Sequence, residues 1–107
     1  MKNENKYKLD ELLTNELRFF ILTVLAMYEE VDFNFLKSEL NATDGNLSVQ
    51  IRKLEEAGYI EVKKQFVNRK PKSSYRITKS GLDALKNHLE YMESIKKLVE
   101  KERGNCI

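Results

Sequence analysis

Eight residues that could do recognition chemistry crowd the run ATDGNLSVQIRKLEEAGYI at 42–60: Thr43, Asp44, Gly45, Asn46, Ser48, Val49, Arg52 and Lys53. Leu47, Ile51 and Leu54, at i, i+4 and i+7, mark the inner stripe of a helix over 44–57. At about 100° per residue, the outer side is then Gly45, Val49, Arg52 and Glu56, flanked by Asn46, Ser48 and Lys53. Solvent alone does not ask for that mixture. Short hydroxyl, amide and small apolar groups suit the base edges and thymine methyls of a DNA major groove. Arg52 and Lys53 are placed to reach phosphates on its rims. Gly45 removes a side chain in the first turn, so backbone N–H groups could approach a phosphate.

A second cluster, Arg69, Lys70 and Lys72, lies in the turn-rich segment 68–72. Net charge is only +2, so the totals say nothing about nucleic acid. Local charge does. From Arg52 to Lys79 there are eight further basic residues against three acids, Glu55, Glu56 and Glu61. That basic half is an electrostatic footprint for a polyanion.

Other chemistry finds no support. One histidine and one cysteine, His88 and Cys106, give no metal-ligand spacing, and the four glycines sit singly rather than in a phosphate loop. The carboxylates fall beside lysines on amphipathic segments, where a solvated helix face is the ordinary reading. No catalytic residue, metal or cofactor is expected. His88 is expected at the surface or in a dimer interface, and Cys106 in a tail. No run of about 18 uncharged apolar residues is present to span a membrane. The N-terminus MKNENKYKLDELL lacks a signal-peptide core, so a cytoplasmic protein is expected.

These residues need a scaffold, and 107 residues suffice for one core. Leu17, Phe20, Ile21, Val24, Leu25 and Tyr28 predict a first helix from about Asp10 to Glu30. Its other side carries Phe19, Leu22 and Ala26, so one face is expected to meet another chain. Asp32 is placed to cap a short second helix with Phe33, Leu36 and Leu40 inside, and Thr43 to cap the third. Gly58 suits a left-handed C-terminal cap. The period then changes to two. Ile60, Val62 and Phe66 are read as one face of a strand, and Tyr75 and Ile77 as the inner face of its hairpin partner at 73–78. Helical spacing returns from Thr78 or Lys79 to about Arg103, with Gly104 as the stop. A helix of about 25 residues is roughly 37 Å long, which overhangs a body this small.

"NLSVQIRKLEEAGYIEVKKQF" followed by "KPKSSYRITKSGLDAL" resembles the winged helix-turn-helix transcriptional regulators, nearest to small MarR- and ArsR-like ones. The resemblance covers about residues 15–100. It implies a mainly α fold with a small β-hairpin: a three-helix core, a wing and a long C-terminal dimerisation helix. The chain is expected to divide into a flexible segment 1–9, a DNA-binding domain 10–78, a dimerisation helix 79–103 and a tail 104–107. The resemblance implies a homodimer on an inverted-repeat operator in double-stranded DNA. The helix at 44–57 would read the major groove, with the wing at 66–74 on the adjacent minor groove or backbone. ArsR-type regulators often sense metals through cysteine and histidine clusters, a pattern from which this chain departs.

Phe19, Leu22 and Ala26, with Leu89, Met92, Ile95 and Val99, are the expected dimer interface. An unidentified small-molecule effector between the reading domain and the dimer helices stays open. So does a winged-helix module that binds protein rather than DNA.

Overall fold

Short polar side chains set the helix starts. In the computed structural model, which describes residues 10–106 (backbone only for Asn105 and Cys106), Asn15 accepts from the Arg18 amide at 2.9 Å and opens α1 (Glu16–Met27). Asp32 accepts from the Phe35 amide at 2.8 Å and opens α2 (Phe33–Leu40). Thr43 accepts from the Asn46 amide at 3.2 Å and opens α3 (Asp44–Glu56). Each bond satisfies an amide that the helix itself leaves without a partner. The segment expected to be flexible, 1–9, lies outside the described residues.

The single helix expected over 10–30 is corrected in two places. Asn15 is extended (φ −82°, ψ 124°) and separates α1 from a 3-10 turn at Glu11–Thr14. The helix then ends at Met27, with Tyr28 extended. The apolar spacing passed over a break made by one Asn, whose side chain competes with the helix backbone.

β1 (Val31–Asp32), absent from the sequence reading, is the edge of a three-stranded antiparallel sheet with β2 (Ile60–Val67) and β3 (Lys70–Ile77), in the order β1-β3-β2. Ile60 pairs with Ile77 and Val62 with Tyr75, so the expected inward alternation holds at the root of the hairpin. Further out the alternation continues but burial does not: Phe66 pairs with Pro71 and is 76% exposed. The basic loop expected at 68–72 contracts to a two-residue turn, because Lys70, Pro71 and Lys72 already belong to β3. Asn68 and Arg69 both hold positive φ (53° and 66°), as the tight primed turns of hairpins require.

The core joins Ile21, Leu22, Val24 and Leu25 of α1 to Leu36, Leu47, Ile51, Leu54, Ile60, Tyr75 and Leu85. Helix α1 packs on α2, α3, β3 and α4 (Lys79–Cys106), so it is enclosed from several sides. Two readings of its faces are therefore corrected. Leu22, expected in a dimer interface, is fully buried within its own chain, whereas Phe20, expected inside, is 42% exposed. His88 is likewise buried rather than superficial, its ring 5.4 Å from that of Phe19.

The junctions at 58–59 and 78–81 meet each other. Gly58 holds φ 81°, a left-handed cap that any side chain would strain. Thr78 Oγ1 donates to the Gly58 carbonyl at 2.7 Å and accepts from the Gly81 amide at 3.0 Å. A Cβ at Gly81 would overlap the Tyr59 carbonyl. The end of α3 and the start of α4 are thus locked together through the Thr78 hydroxyl and the backbone bond from the Thr78 amide to the Tyr59 carbonyl.

Helix α4 passes the stop expected at Gly104 and continues to Cys106. An isolated glycine costs a helix only about 1 kcal/mol, and Gly104 lacks the positive φ of a cap. Its 28 residues span about 42 Å. The molecule extends 63 Å along its longest axis, with a radius of gyration of 17.0 Å against about 13 Å for a compact chain of this size. The last helix projects from its own body.

Candidate nucleic-acid interface

Helix α3 turns Leu47, Ile51 and Leu54 inward, as their spacing required, and buries a fourth residue, Gln50. Thr43, Asp44, Gly45, Asn46, Ser48, Val49, Arg52 and Lys53 are all exposed, so the outward face expected from the sequence forms. Val49 is 42% exposed at its centre. A Cβ at Gly45 would meet nothing within 4 Å, so packing among the described residues does not demand a glycine there. The Thr43 oxygen is occupied by the cap, which leaves its hydroxyl proton free to donate. Asp44 is paired with Lys37 at 2.7 Å, and its charge at the helix N-terminus is neutralised on the α2 side.

Asn46 is exposed yet held. Gln50 Nε2 donates to Asn46 Oδ1 at 3.0 Å, and Gln50 Oε1 accepts from the Arg18 guanidinium. Arg18 Nε in turn donates to the Leu12 carbonyl at 2.7 Å. A chain of bonds therefore runs from the body of the protein to the amide at the tip of α3. Gln50 and Arg18 were missed by the sequence reading. A signal existed, since Gln50 stands three residues after Leu47 and four before Leu54, on the rim of the inner stripe.

Beside α3 the hairpin of β2 and β3 carries Lys64, Arg69 and Lys70. With Arg52 and Lys53, their side chains form no ion pair among the described residues. Lys72, expected with them, is held by Asp32 at 3.5 Å, which also caps α2, so one acid ties the wing to the body. A cleft of about 600 Å³ runs between the two units, with Asn34 and Ser48 on one wall and Lys70, Pro71 and Ser73 on the other. Both units thus open onto one side of the molecule.

Three acids gather elsewhere. Glu30 lies 3.4 Å from Arg76 on the outer face of the sheet, at a cleft of about 560 Å³ that also holds Glu55, Glu61 and Lys63. The Glu30 carboxyl is shifted down from its ordinary value, first by the nearby Ser74 hydroxyl, which makes no regular hydrogen bond, and then by the charges of Lys63 and Arg76. Among the described residues no group of three or more His, Cys, Asp and Glu side chains is placed to hold a metal, and no helix is long and apolar enough to cross a membrane.

Three helices, the third presenting a polar and basic face beside a basic hairpin, followed by a long helix, define a winged helix-turn-helix module of the DNA-binding kind. The profile of the winged helix DNA-binding domain matches residues 17–96, and the chain belongs to that family. It is 37% identical over 90 residues to the uncharacterized protein MJ0432 of Methanocaldococcus jannaschii, covering 84% of this chain and 98% of that one. A transcriptional regulator homologue from Pyrococcus horikoshii OT3 superposes with a TM-score of 0.79 at 27% identity, over 84% of this chain and 89% of that chain. The structure of MarR superposes with a TM-score of 0.71 at 20% identity, over 85% of this chain and 66% of that chain, a likeness of fold alone. The family is one of DNA-binding domains rather than enzymes.

Proposed function

We propose that the protein is a transcriptional regulator that binds an inverted-repeat operator in double-stranded DNA as a homodimer. Helix α3 enters the major groove, and the wing, residues 66–74, lies on the adjacent minor groove or backbone. The observation that carries this reading is the exposed face of α3, with Asn46, Ser48, Val49 and the unpaired Arg52 and Lys53, next to a wing whose Lys70 lines one cleft with Ser48 and whose Arg69 is also unpaired. Cations position the protein on phosphates, and the short side chains read bases.

The dimer reading rests on α4. Leu89, Met92, Leu98 and Val99 are 39–52% exposed along its projecting part, and Ile95 is half-buried among them. On α1, Phe20 and Met27 (42% and 64% exposed) replace Leu22 as the apolar surface beside the exposed Ala26. Phe19 contributes only an edge, since its ring packs on His88. Each such side chain left in water forgoes roughly 1.5–3 kcal/mol of burial. Twofold pairing would set half-sites about one helical turn apart.

Selection of duplexes from a random pool by the full-length protein tests the reading. The expected product is a twofold-symmetric sequence, bound with an affinity that falls steeply as salt rises. No enrichment of any duplex would overturn it in favour of a protein-binding module.

A further inference from the structure

Phe66 is 76% exposed, more than any other large apolar side chain among the described residues, and it sits almost at the tip of the wing. Its neighbour Val67 is 42% exposed, and its cross-strand partner is Pro71. Alternation along β2 places Phe66 on the same face as Ile60 and Val62, the face that packs on the core. Beyond Val62 that face carries Lys64, opposite Ser73, and then Phe66 opposite Pro71, a short apolar ridge set apart from the core. The ridge is stiff: the turn has two residues, and Pro71 fixes φ directly opposite Phe66.

What covers the ridge is indicated by the charge around it. Between Val62 and Ile77 the sequence has six cations, Lys63, Lys64, Arg69, Lys70, Lys72 and Arg76, and no acid. Lys72 and Arg76 are paired with Asp32 and Glu30, but Lys63, Lys64, Arg69 and Lys70 form no ion pair among the described residues. A rigid aromatic ring among such cations suits a partner that is polyanionic outside and apolar within. Stacked bases between phosphate backbones have that construction. Apolar side chains that enter a minor groove wedge between base steps, partly unstack them and bend the duplex.

We infer that Phe66, backed by Pro71, is a minor-groove wedge that opens a base step beside the half-site read by α3 and bends the DNA. The inference rests on the DNA-binding reading above. It assigns the wing a shape-dependent share of specificity, through the ease with which the contacted step unstacks.

The test uses full-length protein and a duplex enriched from the random pool, carrying 2-aminopurine at successive positions flanking the α3 half-site and a fluorophore pair at its ends. Wild-type protein should raise 2-aminopurine emission at one step and shorten the end-to-end distance. Phe66→Ala should abolish both signals and weaken binding by about tenfold or more, the scale of lost aromatic stacking on a base. Phe66→Leu should keep much of both, and the salt dependence should not change in either variant. The residue is exposed, so neither substitution should alter thermal unfolding. Wild-type binding with unchanged emission at every position, or a Phe66→Ala variant that bends and binds normally, would overturn the wedge while leaving the DNA-binding reading intact. Failure of wild-type protein to bind any duplex would overturn both.

Discussion

Gln50 reaches back one helical turn and donates its side-chain amide to Asn46 Oδ1 at 3.0 Å, while its own carbonyl accepts from Arg18. The exposed Asn46 therefore has one acceptor lone pair engaged and its NH2 group oriented. An ordered amide loses less entropy on binding than a free one.

Asn46→Ala should cost about 1–3 kcal/mol on the enriched duplex and relax preference at one base pair. Gln50→Ala should relax the same position more weakly, with the slope of affinity against salt unchanged. Titration against singly substituted duplexes reads both effects. Unaltered preference in Gln50→Ala would show that the bond does not orient the reading group.

The cations divide by whether they are already paired. Arg52→Ala and Lys70→Ala should weaken all duplexes alike and reduce the salt slope by about one unit each. Lys72→Ala should do less, because Asp32 holds that ammonium. Arg69→Gly is informative in a second way, since Arg69 sits at φ 66°. It should bind DNA less tightly while the fold is at least as stable, a glycine there relieving about 1–2 kcal/mol of backbone strain.

Met92→Lys with Val99→Lys should give a monomer at micromolar concentration without loss of helix content, because both side chains are exposed in the protomer. Affinity for a two-half-site duplex should fall much further than for a single half-site. Equilibrium sedimentation decides. A double variant that stays dimeric would remove α4 from the interface.

Gly81→Ala should destabilise the fold by about 1–3 kcal/mol, as overpacking against a fixed group does. The obstructing atom is the Tyr59 carbonyl, whose backbone is itself bonded to Thr78 and Leu54 and has little room to withdraw. Gly45→Ala, with open space around it, should leave stability unchanged or improved and report instead on DNA affinity. Urea unfolding of the pair of variants is the measurement.

Alkaline pH should weaken the fold in a way that Tyr59→Phe reduces. Burial, followed by its hydrogen bond to Asp10 at 2.8 Å, raises the Tyr59 phenol above its ordinary 10.0, so the folded state favours the neutral form. That preference contributes fully below about pH 10 and is lost as pH rises through the folded value. Tyr75 is raised as well, first by burial, and should sustain part of the decline in the variant. Unfolding free energies between about pH 8 and 11 would show an equal decline in both proteins if Tyr59 contributed nothing.

Features decided within one or two turns of chain were legible in the sequence. Asp32 and Thr43 cap the helices expected of them, Gly58 takes the left-handed cap, and Leu47, Ile51 and Leu54 face inward. Each depends on a hydrogen bond or periodicity spanning three to seven residues, and that information is local. The outward face of α3 followed as the complement of its inner stripe. Helix α1 was different because it is apolar on nearly every side, so periodicity carries no phase. Only the arrival of α3, α4 and β3 decided that Leu22 goes in and Phe20 stays out. The bond from Arg18 to Gln50 joins residues 32 apart, and the pairing of Asp32 with Lys72 joins the body to a distant strand. Neither has a local signature, because its stabilisation exists only once the backbone has already brought the two groups together. The same holds for Phe66: alternation assigned it correctly to the core-facing side of its strand, but only the tertiary structure showed that the core ends before reaching it.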